Sequence, residues 1–346
     1  MSATRMSTDF RIANGSGFKL TMRNLIAFLV FVSALAPAQV PKPPWVGGTT
    51  PAKSTPSDSH ASDQNPDTTF KVNVKLVNVF VTVTDEHGAP VAGLAKDNFD
   101  LLEDGKLQTI SVFAKESALP LSIVMDIDTS LSTRKDLPLE LNSARRFAHA
   151  ILRPIDAISL YEFSEVVTEV VRFTADLKSI DRGIDHPHLG AGTALYDALY
   201  LGSQALDSRQ GRKVMVVITD GGDTVSRADY KEAVRAAQEA EAIVYSIIVV
   251  PIEASAGRDI GGEHALIQLS EDTGGKYFYA TTVPQLDAAF QKISDELRTQ
   301  YMLAYYPAQR LTDSDYRRIQ VKVKGVTDAN YSVRHRTGYY TTKSKF

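Results

Sequence analysis

From Phe70 onward apolar residues fall on every second position. The stretch "FKVNVKLVNVFVTVTD" places Val72, Val74 and Leu76 on one parity, then Val79, Val81 and Val83 on the other. Period two marks strand, and the slip near Val77-Asn78 predicts a bulge or a change of sheet. "DEHGAP" makes a turn, and "NFDLLEDGKLQTISVF" reads as a hairpin about Asp104-Gly105. About 45 residues is short for a complete sandwich. From Leu119 the pattern changes to alternating strands and helices. Strands are predicted at 120–127, 156–163, 167–173, 213–219, 243–250 and 276–279, and helices at 134–152, 194–208, 228–241, 263–273 and 284–298. Unbroken apolar runs such as "KVMVVIT" and "AIVYSIIVV" suit a sheet covered on both faces. The expected fold class is therefore α/β, a doubly wound, mostly parallel sheet. After Arg298 the period returns to two, and "QYMLAYYP", "YRRIQVKVKG" and "YSVRHRTGYYTT" read as three strands. Neither β flank alone has enough strands to close a core. We expect the two flanks to meet in one small β-sandwich from which the α/β domain emerges as an insertion.

The chain before Phe70 has a different character. Residues 39–69 are rich in Pro, Ser, Thr, Asp and Gly without apolar periodicity, which reads as a disordered linker. Met22-Arg23-Asn24, the apolar run Leu25 to Leu35 and Ala36-Pro37-Ala38 have the layout of an export signal. The run is shorter than the roughly 20 apolar residues a membrane span needs. The expected organisation is a signal peptide over 1–38 with a start at Met1 or Met22, then the linker over 39–69. An N-terminal sandwich segment over 70–117, the α/β domain over 118–299 and a C-terminal sandwich segment over 300–346 follow. We expect an exported protein without a stable membrane span. The 346 residues include no cysteine, so disulfides and thiolate chemistry are excluded. A net charge of −3 with no block of Lys or Arg gives no reason to expect nucleic acid.

In an open parallel sheet, ligands gather at the carboxyl ends of the strands. Three oxygen-rich segments are expected there. Asp128-Thr129-Ser130-Leu131-Ser132 follows the first α/β strand, Thr193 lies in the Gly-rich "GAGTALYDAL", and Asp220 follows "VVIT". Asp-x-Ser-x-Ser, then a loop Thr, then Thr-Asp-Gly resembles the metal-ion-dependent adhesion site of von Willebrand factor A domains, in the family's order, over roughly 119–300. The wider layout is similar to that of VWFA-related proteins typical of acidobacteria. The resemblance implies that Ser130 and Ser132 ligate a divalent cation through their hydroxyls, with Thr193 joining in the ligand-engaged state. Asp128 and Asp220 would act through waters or through the ligating hydroxyls. Mg²⁺ is the first expectation, with Mn²⁺ or Ca²⁺ as alternatives. A cation short of negative charge would accept an acidic side chain, so the implied partner is a protein presenting Asp or Glu, with no catalysis. Gly190 and Gly192 would let the loop approach the ion. Leu131 departs from the family, which often has Gly there, and Asp126 stands where the strand normally carries an apolar residue.

Asp126 opens a rival reading. "IVMDIDTSL" is also similar to the first motif of haloacid-dehalogenase-type phosphatases, with Asp126 as nucleophile, Asp128 as acid and base, and Thr219 as the second motif. Against it, a helix follows Ser132 too soon for a flap, no Lys sits at a suitable strand end, and Thr193 goes unused. Otherwise Asp126 is a second-layer hydrogen-bonding group or a partly buried structural carboxylate. A third reading is an envelope scaffold with a vacant metal site. His186 and His188 read as solvated loop residues, Asp197 as a structural group before a helix, and the tyrosines of "YMLAYYP" and "GYYTT" as sandwich core and edge. "LGAGTA" lacks the Lys of a phosphate loop, and Ser130 has no nucleophile-elbow context.

Overall fold

Val77, Val79, Val81 and Val83 all bury their side chains on one face of β1 (Val77–Asp85), as period two requires. In this computed structural model the described residues are 76–115, 119–250, 260–308, 315–324 and 331–342. The expected signal peptide and linker lie outside them, as do Val72 and Val74. Within β1 the parity holds from Val77 to Val83, so the expected slip falls at the start of the strand.

Three further strands follow: β2 (Phe99–Glu103), β3 (Lys106–Gln108) and β4 (Ile110–Lys115). The turn between β2 and β3 is Asp104-Gly105, with φ of 47° and 78°. Two successive positive φ values match the right-handed twist of a tight hairpin, which is why Gly occupies the second position. The chain then enters β5 (Leu121–Asp128), α1 (Leu137–Ile151), β6 (Ala157–Phe163), β7 (Val167–Thr174), α2 (Leu177–Ile184), α3 (Leu195–Asp207) and β8 (Arg212–Thr219). It continues through α4 (Tyr230–Glu239), β9 (Ile243–Val249), α5 (Ile260–Thr273), β10 (Lys276–Ala280) and α6 (Val283–Thr299). The C-terminal flank supplies β11 (Tyr301–Tyr305), β12 (Tyr316–Val323), β13 (Tyr331–Arg334) and β14 (Gly338–Tyr340).

The α/β sheet has the order β10-β9-β8-β5-β6-β7, parallel throughout except for the antiparallel β6–β7 pair. α1, α2 and α6 pack on one face with Ile123, Met125 and Ile127 of β5. α3, α4 and α5 pack on the other with Val124. Both faces of β5 are therefore covered, which explains its unbroken burial. α2 was not anticipated from the sequence. Asp176 caps it by accepting from the Lys178 amide at 3.2 Å, and Ile180 and Ile184 anchor it.

The flanking strands interleave. One antiparallel sheet runs β13-β1-β11-β4 and the other β14-β12-β2-β3, so each takes strands from both flanks. Their inner faces share one core containing Val79, Leu101, Tyr301, Leu303 and Val321. The α/β domain thus leaves the sandwich after β4 and returns at β11. "YSVRHRTGYYTT" holds two strands, where the alternation alone suggested one. β13 pairs with β1 and β14 with β12, and the intervening residues 335–337 cross between the sheets.

That crossing also fastens the sandwich to the inserted domain. Arg334 donates to the Gly275 carbonyl at 2.7 Å and pairs with buried Glu296 of α6 at 2.5 Å. The Thr337 amide donates to the Asp272 carbonyl at 2.9 Å. Gly274 has φ +83°, and a Cβ there would lie 2.5 Å from the His335 carbonyl carbon. Gly274→Ala is expected to destabilise the protein by more than about 1 kcal/mol, because the conformation and the contact both exclude a side chain. Urea unfolding measures this, and an unchanged midpoint would mean that the two backbones can separate at little cost.

Candidate functional site

The chain order reverses direction between β5 and β8, the central pair of the α/β sheet. Strand ends diverge at such a point and leave a crevice. Asp128 is the last residue of β5, and Asp220 follows the last residue of β8. Asp128 is fully buried; its Oδ1 accepts from the Ser130 amide at 2.8 Å and its Oδ2 from the Thr219 hydroxyl at 2.6 Å. The first bond closes the chain into a turn directly after the strand. That turn aims the Ser130 and Ser132 hydroxyls together, with 2.9 Å between their oxygens. The Ser132 hydroxyl donates onward to Asp220 Oδ1 at 3.0 Å. The structure thus links Asp128, Ser130, Ser132 and Asp220 through short hydrogen bonds across 92 positions of sequence number. Thr219 belongs to the same group, although in the sequence it drew attention only as a rival motif.

The loop that carries Thr193 lies beside the site. The Gly190 amide donates to the Thr129 carbonyl at 3.1 Å, which lays the loop beside the Ser130 turn. Thr193 is tied down through its backbone: its amide donates to the Thr224 hydroxyl at 2.9 Å and its carbonyl accepts from the Thr224 amide at 2.8 Å. The residue is buried. The glycines serve a packing purpose here: a Cβ on Gly190 would sit 2.3 Å from the Ser164 hydroxyl, and one on Gly192 would sit 3.0 Å from Val225. Asp197 holds the following loop, accepting from the amides of Arg227 at 3.1 Å and Ala228 at 2.8 Å. His188 is tied to buried Glu162 at 3.1 Å, while His186 meets the Arg182 carbonyl at 3.2 Å. The two histidines therefore face different partners.

The electrostatics call for positive charge. Burial raises the pKa of Asp128 above its ordinary value, although the bonds from Thr219 and Ser130 act the other way. Burial, then the charge of Asp128, pushes Asp220 up to about 6. Glu140, on α1, is pushed up to about 8 by burial and then by Asp128, Asp220 and Asp136. Glu140 did not stand out among the candidate residues of the sequence. A signal was present, since Leu137, Glu140, Leu141 and Ala144 share the i, i+3, i+4, i+7 stripe that faces the core.

Among the described residues, no group of three or more His, Cys, Asp or Glu is arranged to hold a metal ion. A cation here would rest on hydroxyls as well as carboxylates. The donor set fits a hard divalent ion: two converging hydroxyls flanked by two carboxylates with raised pKa values, all oxygen. Leu131, between the two serines in the chain, is 53% exposed, an apolar group beside the hydroxyl cluster.

Asp126 is different. It lies on the same face of β5 as Asp128 but one pleat deeper, fully buried, and neither of its oxygens has a hydrogen-bond partner among the described residues. Burial holds its pKa well above the ordinary value. It is neither a hydrogen-bonding support for the site nor partly exposed. This complete burial counts against Asp126 as the nucleophile of the phosphatase reading.

Residues 122–293 match the family model of the von Willebrand factor type A domain. No curated protein matches the chain. Among solved structures, the chain is similar to a conserved hypothetical protein BatB from Bacteroides thetaiotaomicron, at 21% identity and TM-score 0.42, over 52% of this chain and 100% of that one. A von Willebrand factor type A protein from Catenulispora acidiphila is 12% identical with TM-score 0.46, over 78% of this chain and 75% of that one. The pilus adhesin SpaC from Lactobacillus rhamnosus GG, in an open conformation, is 10% identical with TM-score 0.44, over 75% of this chain and 47% of that one.

Proposed function

From the premise that residues 122–293 form a von Willebrand factor type A domain, we propose that this chain is an exported, metal-dependent protein-binding module. A divalent cation, Mg²⁺ in the first instance, is held by the hydroxyls of Ser130 and Ser132, with Thr193 available from the neighbouring loop. Asp128 and Asp220 orient the hydroxyls and supply negative charge nearby. The cation completes its coordination with an Asp or Glu side chain of a partner protein. The observation that carries this reading is the hydrogen-bonded chain from Asp128 to Asp220 at the β5–β8 crevice. It gathers hard oxygen donors from two strand ends at the place where this type of sheet takes ligands. Export rests on the residues 22–38 and is a proposal of the same standing. Among the described residues, no helix is long and apolar enough to cross a membrane.

Calorimetry with Mg²⁺ and Mn²⁺ tests the site. Binding heat is expected for the wild type and is expected to be lost in Ser130→Ala, which removes a ligating oxygen, with the unfolding midpoint in chelator unchanged. Capture of partners from envelope extract is expected with Mg²⁺ and not with EDTA. No binding heat and no stabilisation by either ion would overturn the reading and leave a scaffold.

A further inference from the structure

Beside the hydroxyl cluster lies a cavity of about 450 Å³, between the start of α1, the ends of β9 and β10 and the first turn of α6. Ser132 lines it and so joins it to the proposed cation site. Much of its wall is alkyl, from Leu139, Val249, Val250, Val283 and Leu286. Glu140 also lines it, is only 2% exposed, and has no hydrogen-bond partner on either oxygen among the described residues. Asp136 stands on the same wall, and Lys135 contributes an exposed flank.

A buried carboxylate at an apolar wall is costly unless a cation meets it. A metal ion is a poor occupant, because it would need about six or more oxygen ligands and this wall is mostly hydrocarbon. A flexible alkyl stem carrying a cationic head suits both parts of the cavity. The stem covers Val and Leu, and the head reaches Glu140. The volume is in the range that holds small organic groups, roughly 300–1,000 Å³. We propose that this cavity is a recognition pocket for a basic side chain, Lys or Arg, of the same partner whose carboxylate meets the cation at Ser130 and Ser132. The inference rests on the proposed function and narrows it: the partner presents a basic residue close to its acidic one.

The full chain is titrated with N-acetyl amides of lysine, arginine and norleucine, each with Mg²⁺ and with EDTA, by ligand-observed NMR. The lysine and arginine amides are expected to bind, with norleucine at least tenfold weaker. Glu140→Gln is expected to bring the basic amides down to the norleucine level while Mg²⁺ still binds. Its unfolding midpoint should be little changed, since Gln keeps the shape and Glu140, pushed up to about 8, is mostly uncharged in the empty pocket at neutral pH. Val283→Trp, which fills the cavity and leaves Glu140 in place, is expected to abolish binding of all three. Equal binding of norleucine, or unchanged lysine binding in Glu140→Gln, overturns the proposal. Mg²⁺ heat with no amide binding sinks the pocket and leaves the proposed function standing. Lysine binding at Glu140 without any Mg²⁺ heat does the reverse.

Discussion

Glu103→Ala is expected to destabilise the protein by about 3–5 kcal/mol, the cost of breaking a buried ionic group by removing one member. Glu103 ends β2 inside the sandwich and is 2% exposed. Its Oε2 accepts from the Tyr305 hydroxyl at 2.6 Å and the Tyr339 hydroxyl at 2.9 Å. Its Oε1 lies 3.5 Å from Nη1 of Arg317, a side chain as buried as its own. Burial, followed by Glu103, raises the pKa of both tyrosines, so both remain protonated donors across the working pH range. The four residues come from β2, β11, β12 and β14, and so draw together strands of both flanks. Removing the carboxylate strands two buried hydroxyls and reduces the charge opposite Arg317 to Asp104, at 3.3 Å. Tyr305→Phe should cost less, about 1.5–3 kcal/mol, because it deletes one hydrogen bond to a charged acceptor. Glu103→Gln should fall between, since it keeps the shape and an acceptor oxygen but loses the charge. Urea unfolding of the three variants gives the order. A cost below about 1 kcal/mol for Glu103→Ala would show that the network contributes little to closing the sandwich.

The strands and helices of the α/β domain were legible because each has a period that its burial enforces. β5 was expected at 120–127 and runs Leu121–Asp128; α3 was expected at 194–208 and runs Leu195–Asp207. The Asp104-Gly105 hairpin was legible from turn chemistry alone. Three features were not. α2 has eight residues, four of them charged or Ser, so its apolar stripe is only Leu177, Ile180 and Ile184. The β13–β14 division escaped because alternation reports which side a residue faces and not which sheet it joins. The network of Glu103 escaped because a charged residue beside Asp104-Gly105 reads as part of an exposed turn. Only the fold brings Tyr305 and Tyr339 to it, from more than 200 positions away. The candidate site divides in the same manner. Asp128, Ser130 and Ser132 are local in sequence, and their turn follows from a carboxylate two residues before an amide. The link to Asp220 depends on β5 and β8 being neighbours, which the βα alternation implies but does not specify. Glu140 and the cavity beside it required the closed structure.

Asp126→Val is expected to stabilise the protein by about 1–3 kcal/mol in chelator at neutral pH, the usual cost of a buried polar group left without a partner. Asp126 faces α3 from the middle strand of the sheet, beneath the crevice. A Cβ on Gly202 would lie 2.8 Å from Met215, 3.0 Å from Val124 and 3.3 Å from Asp126 Oδ2, so α3 presses on a surface that is otherwise hydrocarbon. Valine is close to Asp in size and suits a central strand, whereas a longer side chain would crowd Gly202. A polar residue retained at such a place invites a functional explanation, and the phosphatase reading supplied one. Its burial argues otherwise, because Asp126 is sealed beneath the crevice and the chain first becomes exposed at Leu131 and Ser132, in the turn beyond β5. The variant separates these accounts in one comparison. Under the binding reading, Asp126→Val is more stable in urea and keeps the Mg²⁺ heat, because Asp128 still holds Ser130 and Thr219 as before. A less stable variant would mean that Asp126 meets a partner, such as an enclosed water, that offsets its burial. A variant that is more stable but loses Mg²⁺ binding would make the buried carboxylate part of the cation site, acting through its charge. That second outcome would show that the electrostatic field at the crevice depends on a residue buried out of reach of any ligand.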